Sequence, residues 1–125
     1  MGQFSIVYED FPECQCLCLV VSGHYAPGPN KNAISAVSSV MKELGYKKVL
    51  LDFRKARHSM SILDIYDRPK YYMEENLSRG IKIAFVYNPE TIDTDLNFTE
   101  TVLANNGWIM RKFQDMDTAF DWLGS

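Results

Sequence analysis

Apolar and polar positions change period several times along this chain, and each change marks an element. Residues Ser5 to Glu9 read as a strand, and a turn around Phe11, Pro12 and Glu13 returns the chain into a second strand, Cys16 to Ser22. So short a connection makes the two strands an antiparallel pair. Gly23 opens the stretch GHYAPGPN, whose two prolines and two glycines predict an irregular loop. Asn30 is the expected N-cap of a first helix, in which Ile34, Val37, Met41 and Leu44 recur at helical spacing. Lys31, Ser38, Lys42 and Glu43 lie off that stripe, and Gly45 sits where a left-handed C-cap belongs. Lys48 to Asp52 is a short apolar run suited to a strand covered on both faces.

A second helix begins at SILD, where Ser61 and Asp64 make a capping-box-like pair. Its expected buried side is Ile62, Ile65, Tyr66, Tyr72, Met73 and Leu77; Pro69 predicts a kink or a restart, and Arg79-Gly80 ends it. Lys82 to Tyr87 is a strand and NPETIDTD a loop. Leu96 to Asn105 is a helix closed by Asn106-Gly107, and Ile109 to Phe113 is the last strand. Asp115 caps a final helix with Met116, Ala119, Phe120 and Leu123 facing inward. The order is strand, strand, helix, then three strand-helix units. It predicts an α/β fold in a single domain over residues 1–125, with a mixed, mostly parallel sheet of about five strands and about four helices.

Composition adds limits. A length of 125 residues suits one domain, and the 46% apolar and 23% charged fractions are those of ordinary globular chains. A net charge of −3 argues against broad affinity for nucleic acid or an anionic membrane. No apolar run approaches the roughly 20 residues of a membrane span. The start MGQFSIVYED has neither the basic residues nor the apolar core of a secretory signal. The expectation is a cytoplasmic, soluble domain. Cys14, Cys16 and Cys18 alternate, so a strand would place them on one face, too far apart for an easy disulfide. No histidine or further cysteine lies nearby to complete a metal shell, so they read as reduced, metal-free core side chains. No cofactor is expected.

Candidate chemistry gathers in VLLDFRKARHSMSILD. Arg54, Lys55, Arg57 and His58 fall in residues 53–60, which read as the loop after the third strand. They are the candidate site for a partner or an anion, aided by the amino end of the helix at Ser61. Glu90, Asp93 and Asp95 fall in the loop after the fourth strand. If those strands are neighbours, the opposite charges either hold the two loops together or leave the basic one to face a partner. Catalysis has little support. There is no P-loop, dinucleotide fingerprint or nucleophile elbow, and His24 and His58 are not at a metal-ligand spacing. A relay of Asp52, His58 and Ser59 can be drawn, but adjacent side chains seldom converge on one another. No catalytic residue is assigned.

The segments IKIAFVYN, ETVLANNGW and FQDMDTAFDWLGS carry a resemblance, strongest where Phe113, Ala119, Trp122 and Leu123 fit a final strand and a short capping helix. The chain resembles the SpoIIAA-like branch of the STAS domain superfamily, also called the STAS/SEC14 family. That resemblance implies a small α/β domain that works by binding. In its anti-sigma factor antagonist members, a partner kinase phosphorylates a serine at the start of the helix after the third strand. By resemblance, Ser59 and Ser61 are the candidates for phosphorylation here, with Asp52 at the strand end. The SEC14-like side implies an apolar ligand held between helices and sheet. The expectation is therefore a non-enzymatic regulatory module that recognises a protein partner through the loops after strands three and four. The alternative is a binder of a small apolar or anionic ligand, lipid- or nucleotide-like, and an enzyme comes third.

Overall fold

The computed structural model describes residues 4–25, 27–58, 60–92 and 94–124, with the side chains of residues 4, 25, 27–34 and 58 outside that set. Its elements, in chain order, are β1 (Phe4–Phe11), β2 (Cys16–Tyr25), α1 (Pro27–Leu44), β3 (Lys48–His58), α2 (Ile62–Glu74) and β4 (Lys82–Val86). A 3-10 turn (Pro89–Thr91), α3 (Leu96–Asn105), β5 (Ile109–Phe113) and α4 (Met116–Leu123) complete the chain. The strands form one sheet in the order β1-β2-β3-β4-β5. β1 runs antiparallel to β2, and the other three pairings are parallel. The expected α/β class and mixed sheet are present.

Strand order dictates where the helices lie. A parallel sheet that grows in one direction through crossovers of one hand must carry every crossover helix on the same face. Accordingly Leu17, Leu19, Val21, Val49, Ile83 and Phe85 pack under Met41 of α1, Tyr72 of α2 and Leu103 of α3. α4 joins no two strands of this sheet and takes the other face. There Ala119 and Leu123 cover Cys16, Cys18, Leu50, Ala84 and Val86. Cys16 and Cys18 do share a face and are free thiols, whereas Cys14 lies in the β1–β2 turn and packs against their cluster.

The start of α1 and the ends of β2 and α2 differ from the sequence reading, as does the end of β3 described below. α1 begins at Pro27, not after an Asn30 cap, and β2 continues to Tyr25, so GHYAPGPN is largely regular. Pro27 takes the first helical position and Pro29 falls in the first turn, where backbone donors have no partner within the helix anyway. The prolines start the helix instead of excluding it. Ser38, expected on the solvent side of α1, is buried and donates to the Glu75 carbonyl at 3.1 Å. α2 runs unbroken through Pro69 and stops at Glu74, short of Arg79-Gly80. Asn76 has φ of 56°, a left-handed conformation that no helix continues through.

The second boundary of α3 matches expectation. Gly107, with φ of 95°, turns the chain into β5, and an added Cβ would meet Arg79 Cδ at 2.8 Å. That arginine lies 4.5 Å above the ring of Trp108, which is fully buried and donates through Nε1 to the Ser78 carbonyl at 3.1 Å.

Candidate functional site

The basic residues 54–58 are not a loop. β3 continues through them, pairing with Ser22, Gly23, His24 and Tyr25 of β2, six residues beyond the point where β4 leaves at Asp52↔Val86. The register passes from Val20↔Asp52 to Ser22↔Lys55, so β3 holds one extra residue there, a β-bulge. A strand end carrying charge on one side and Phe53 and Ala56 in the core on the other does not show the plain alternation of a half-buried strand. The bulge breaks it.

Asp52 and Arg54 secure the bulge. Arg54 donates from its backbone N to Asp52 Oδ1 at 3.1 Å, from Nε to Oδ1 at 2.9 Å and from Nη2 to Oδ2 at 2.9 Å. The fork is bidentate, the geometry in which arginine binds a carboxylate best. The Asp52 side chain is 8% exposed and that of Arg54 44%. Burial by itself would raise the Asp52 pKa; the hydrogen bonds and charge of Arg54 outweigh it and hold the carboxyl below its ordinary value. The same bonds raise Arg54. Arg54 is therefore engaged within the fold, and Asp52 is not available to orient His58, whose side chain, like all of Ser59, lies outside the described residues.

Past the bulge the remaining charges face out. Ala56 is buried, while Lys55 and Arg57 are exposed opposite Ser22 and His24. Alternation along β2 puts these pairs on the face that α4 covers further along, beyond the reach of that helix. Ser5 and Ser22 share a hydrogen bond of 2.9 Å beside them, and Val7 stands exposed on β1. Among the described residues neither Lys55 nor Arg57 forms an ion pair. Of the acidic loop, Asp93 lies outside the described residues, Asp95 caps α3 through Phe98 N, Asn88 accepts from Glu90 N, and neither Glu90 nor Asp95 pairs with the described basic residues.

No protein-family model matches the sequence, and no curated protein sequence matches it. Solved structures do. An anti-sigma factor antagonist from Mycobacterium paratuberculosis superposes with a TM-score of 0.65 at 17% identity, over 98% of this chain and 96% of that one. A DUF3478-family protein with a SpoIIAA-like fold from Shewanella loihica PV-4 gives 0.59 at 14% identity, over 98% and 95%. The chain has a SpoIIAA-like fold.

In this SpoIIAA-like fold the helix after β3 presents more than a cap. Ser61 is exposed and forms a full capping box: Asp64 N donates to Ser61 Oγ at 3.1 Å, while Ser61 N and Oγ donate to Asp64 Oδ2 at 3.2 and 2.8 Å. Asp64 thus already faces the amino end of the helix with a carboxylate. The buried side of α2 is Ile65, Arg68, Pro69 and Tyr72, so Ile65 and Tyr72 of the expected stripe are covered and Ile62, Tyr66 and Met73 are not. Ile62, Leu63 and Tyr66 are 57, 69 and 68% exposed, and Met73 is exposed as well. Residues 62–66 are apolar at four positions of five, and a helix with one buried face cannot cover them all. That surplus was the available signal. The described residues contain no group of three histidine, cysteine or acidic side chains able to hold a metal, and no helix long and apolar enough to cross a membrane.

Proposed function

We propose that this chain is a non-enzymatic regulatory module that binds a protein partner, using the end of β3 and the first two turns of α2. One observation carries the reading: Lys55 and Arg57 are exposed without ion pairs among the described residues, and Ile62, Leu63 and Tyr66 are exposed within the next ten positions. The exposed apolar side chains form a contiguous patch on α2, which on a small domain marks an interaction surface, and the basic pair stands on the α4 side of the neighbouring sheet end. The likeness to a structure described as an anti-sigma factor antagonist supports a regulatory partner. The loop after β4 lies against β3 through its 3-10 turn and borders the same end of the sheet.

The partner should offer an apolar recess to α2 and an acidic surface to the end of β3. Phosphorylation is a natural control here, with Ser61 the described candidate. A phosphoryl group on Oγ would set a second anion against the Asp64 carboxylate and undo the capping box. The test is affinity capture from an extract with wild-type chain and with an Ile62→Ser, Tyr66→Ser variant, each across a salt series. A specific protein retained by wild type and bound about tenfold or more weakly by the variant supports the reading. Equal capture by both places the interface elsewhere.

A further inference from the structure

The two outer strands of the sheet are built differently. β5 is five residues long and carries Arg111 and Lys112, charges of the kind that keep a strand edge from recruiting another chain. β1, FSIVYEDF, is eight residues long without a lysine, arginine or proline. It pairs with β2 in unbroken register from Phe4↔Gly23 to Phe11↔Cys16, so no bulge turns it aside. Among the described residues no strand pairs with its outer side. In an antiparallel pair every second residue points its N–H and C=O away from its neighbour, so half the backbone groups of β1 face outward. Val7 and Tyr8, near its centre, are exposed although their residue types are those that favour a covered strand.

Charge decides which strand can fill that edge. Glu9 and Asp10 are the charged residues of β1 and lie together near its carboxyl end, both exposed. A parallel copy of β1 would set each acid beside its own mate, and like charges directly opposite are destabilising. An antiparallel copy centred on Val7 sets Glu9 opposite Ser5 and Asp10 opposite Phe4, and so divides the acids between the two ends. The same register places Val7 against Val7 on one face and Tyr8 against Ile6, twice, on the other. Aromatic and β-branched side chains are favoured as cross-strand pairs. Centring on Tyr8 would instead bring Glu9 opposite Val7. We infer that β1 is a self-pairing edge: two copies of the chain join antiparallel about a two-fold axis at Val7, making one continuous sheet of their two five-stranded sheets. Such an interface is isologous and closes on itself, so it gives a dimer and no filament. With the axis perpendicular to the sheet, Lys55 and Arg57 of both copies lie on the same side of the dimer.

Sedimentation velocity of the whole chain over a concentration series tests this. Eight residues a side make a small interface of the weak, transient class, so the series runs from about 10 μM to about 1 mM. Wild type should pass from monomer to dimer as concentration rises, with no larger species. Val7→Lys changes an exposed side chain; it should keep the far-UV spectrum of wild type and weaken the dimer about tenfold or more, because two lysines then meet at the axis. Ser5→Lys should tighten the dimer about fivefold by facing Glu9 of the other copy, and Ser5→Glu should weaken it comparably. Ile109→Lys makes the same change of charge on β5 and should alter nothing. Amide exchange should slow at alternate residues of β1 in the concentrated sample alone. A chain that stays monomeric throughout, a dimer that Val7→Lys leaves intact, or effects of one sign from Ser5→Lys and Ser5→Glu overturn the assignment. A dimer broken by Ile62→Ser with Tyr66→Ser, and not by Val7→Lys, would place self-association on α2 and overturn it equally.

Discussion

The two halves of β3 have the same backbone and opposite surroundings. Lys48–Asp52 lies between β2 and β4, with the three-helix layer on one side and α4 on the other, and Leu50 at its centre is fully buried. Residues 53–58 have β2 alone as a paired strand, and the side chains of 53–57 divide between core and solvent. The first half is held by packing, so its side chains are fixed by volume and polarity. The second half is held by backbone pairing and one ion pair, which leaves Lys55 and Arg57 free to be chosen for what they meet outside.

The strongest contrast should appear in reactivity. Burial, foremost, pushes the thiols of Cys16 and Cys18 up to about 12, and these residues pair with Lys48 and Leu50 of the buried half. At pH 8 their thiolate fraction, and with it their native labelling rate, should be ~10³-fold below that of an ordinary cysteine. Timed alkylation with mass spectrometry should find Cys14 modified first and all three thiols only after denaturation. Rapid native labelling of Cys18 would mean that the α4 face is open.

In stability, Leu50→Ala should cost about 3 kcal/mol, read from urea unfolding, because nothing nearby can collapse into the space between two covered faces. Arg54→Ala comes next, at about 2 kcal/mol at pH 7, below the range for a fully buried pair because Arg54 is partly exposed. Its pH dependence has a definite sign. In wild type the Asp52 pKa lies below its unfolded value, so the pair's contribution is complete above about pH 4 and is lost as pH falls through the folded pKa. Without Arg54, burial raises that pKa, and acidification relieves the variant. The gap between wild type and Arg54→Ala should therefore narrow between pH 7 and pH 3.

Ser61→Ala should cost about 1 kcal/mol through loss of the capping box. The smallest change belongs to Lys55→Ala with Arg57→Ala, within about 0.5 kcal/mol of wild type. That pair should instead flatten the salt dependence of partner capture, because long-range steering comes from exposed charges. A double variant that unfolds like Leu50→Ala would erase the distinction between the two halves.

Most of the fold was legible because periodicity reports burial. β5, α3 and the cap of α4 fall where their patterns place them, and the capping box at Ser61 is written in two residues. The length of β3 was not legible, since Arg54, Lys55 and Arg57 interrupt the apolar run that marks a covered strand. A strand paired on one side only needs no such run. The covered face of α2 was legible only in part, for the opposite reason. Its apolar residues outnumber its buried positions, and sequence cannot say which of Ile62, Ile65, Tyr66 and Tyr72 will be covered. Of the candidate site, the charges were identifiable, but not that Arg54 closes on Asp52 while Lys55 and Arg57 stay open.

The sequential strand order bears on how the chain is made. Every sheet pairing joins strands adjacent in the sequence, so each new strand can dock on the edge formed just before it, with only short closures. The three-helix side is completed step by step during synthesis. The opposite side is not: Cys16, Cys18, Leu50, Ala84 and Val86 have no helix over them until residues 116–123 emerge. Until α4 docks, the chain carries a thiol-bearing apolar sheet surface. A ribosome stalled before α4 should therefore present a strong target for chaperones, and release of the last eight-residue helix should be the step that ends that exposure.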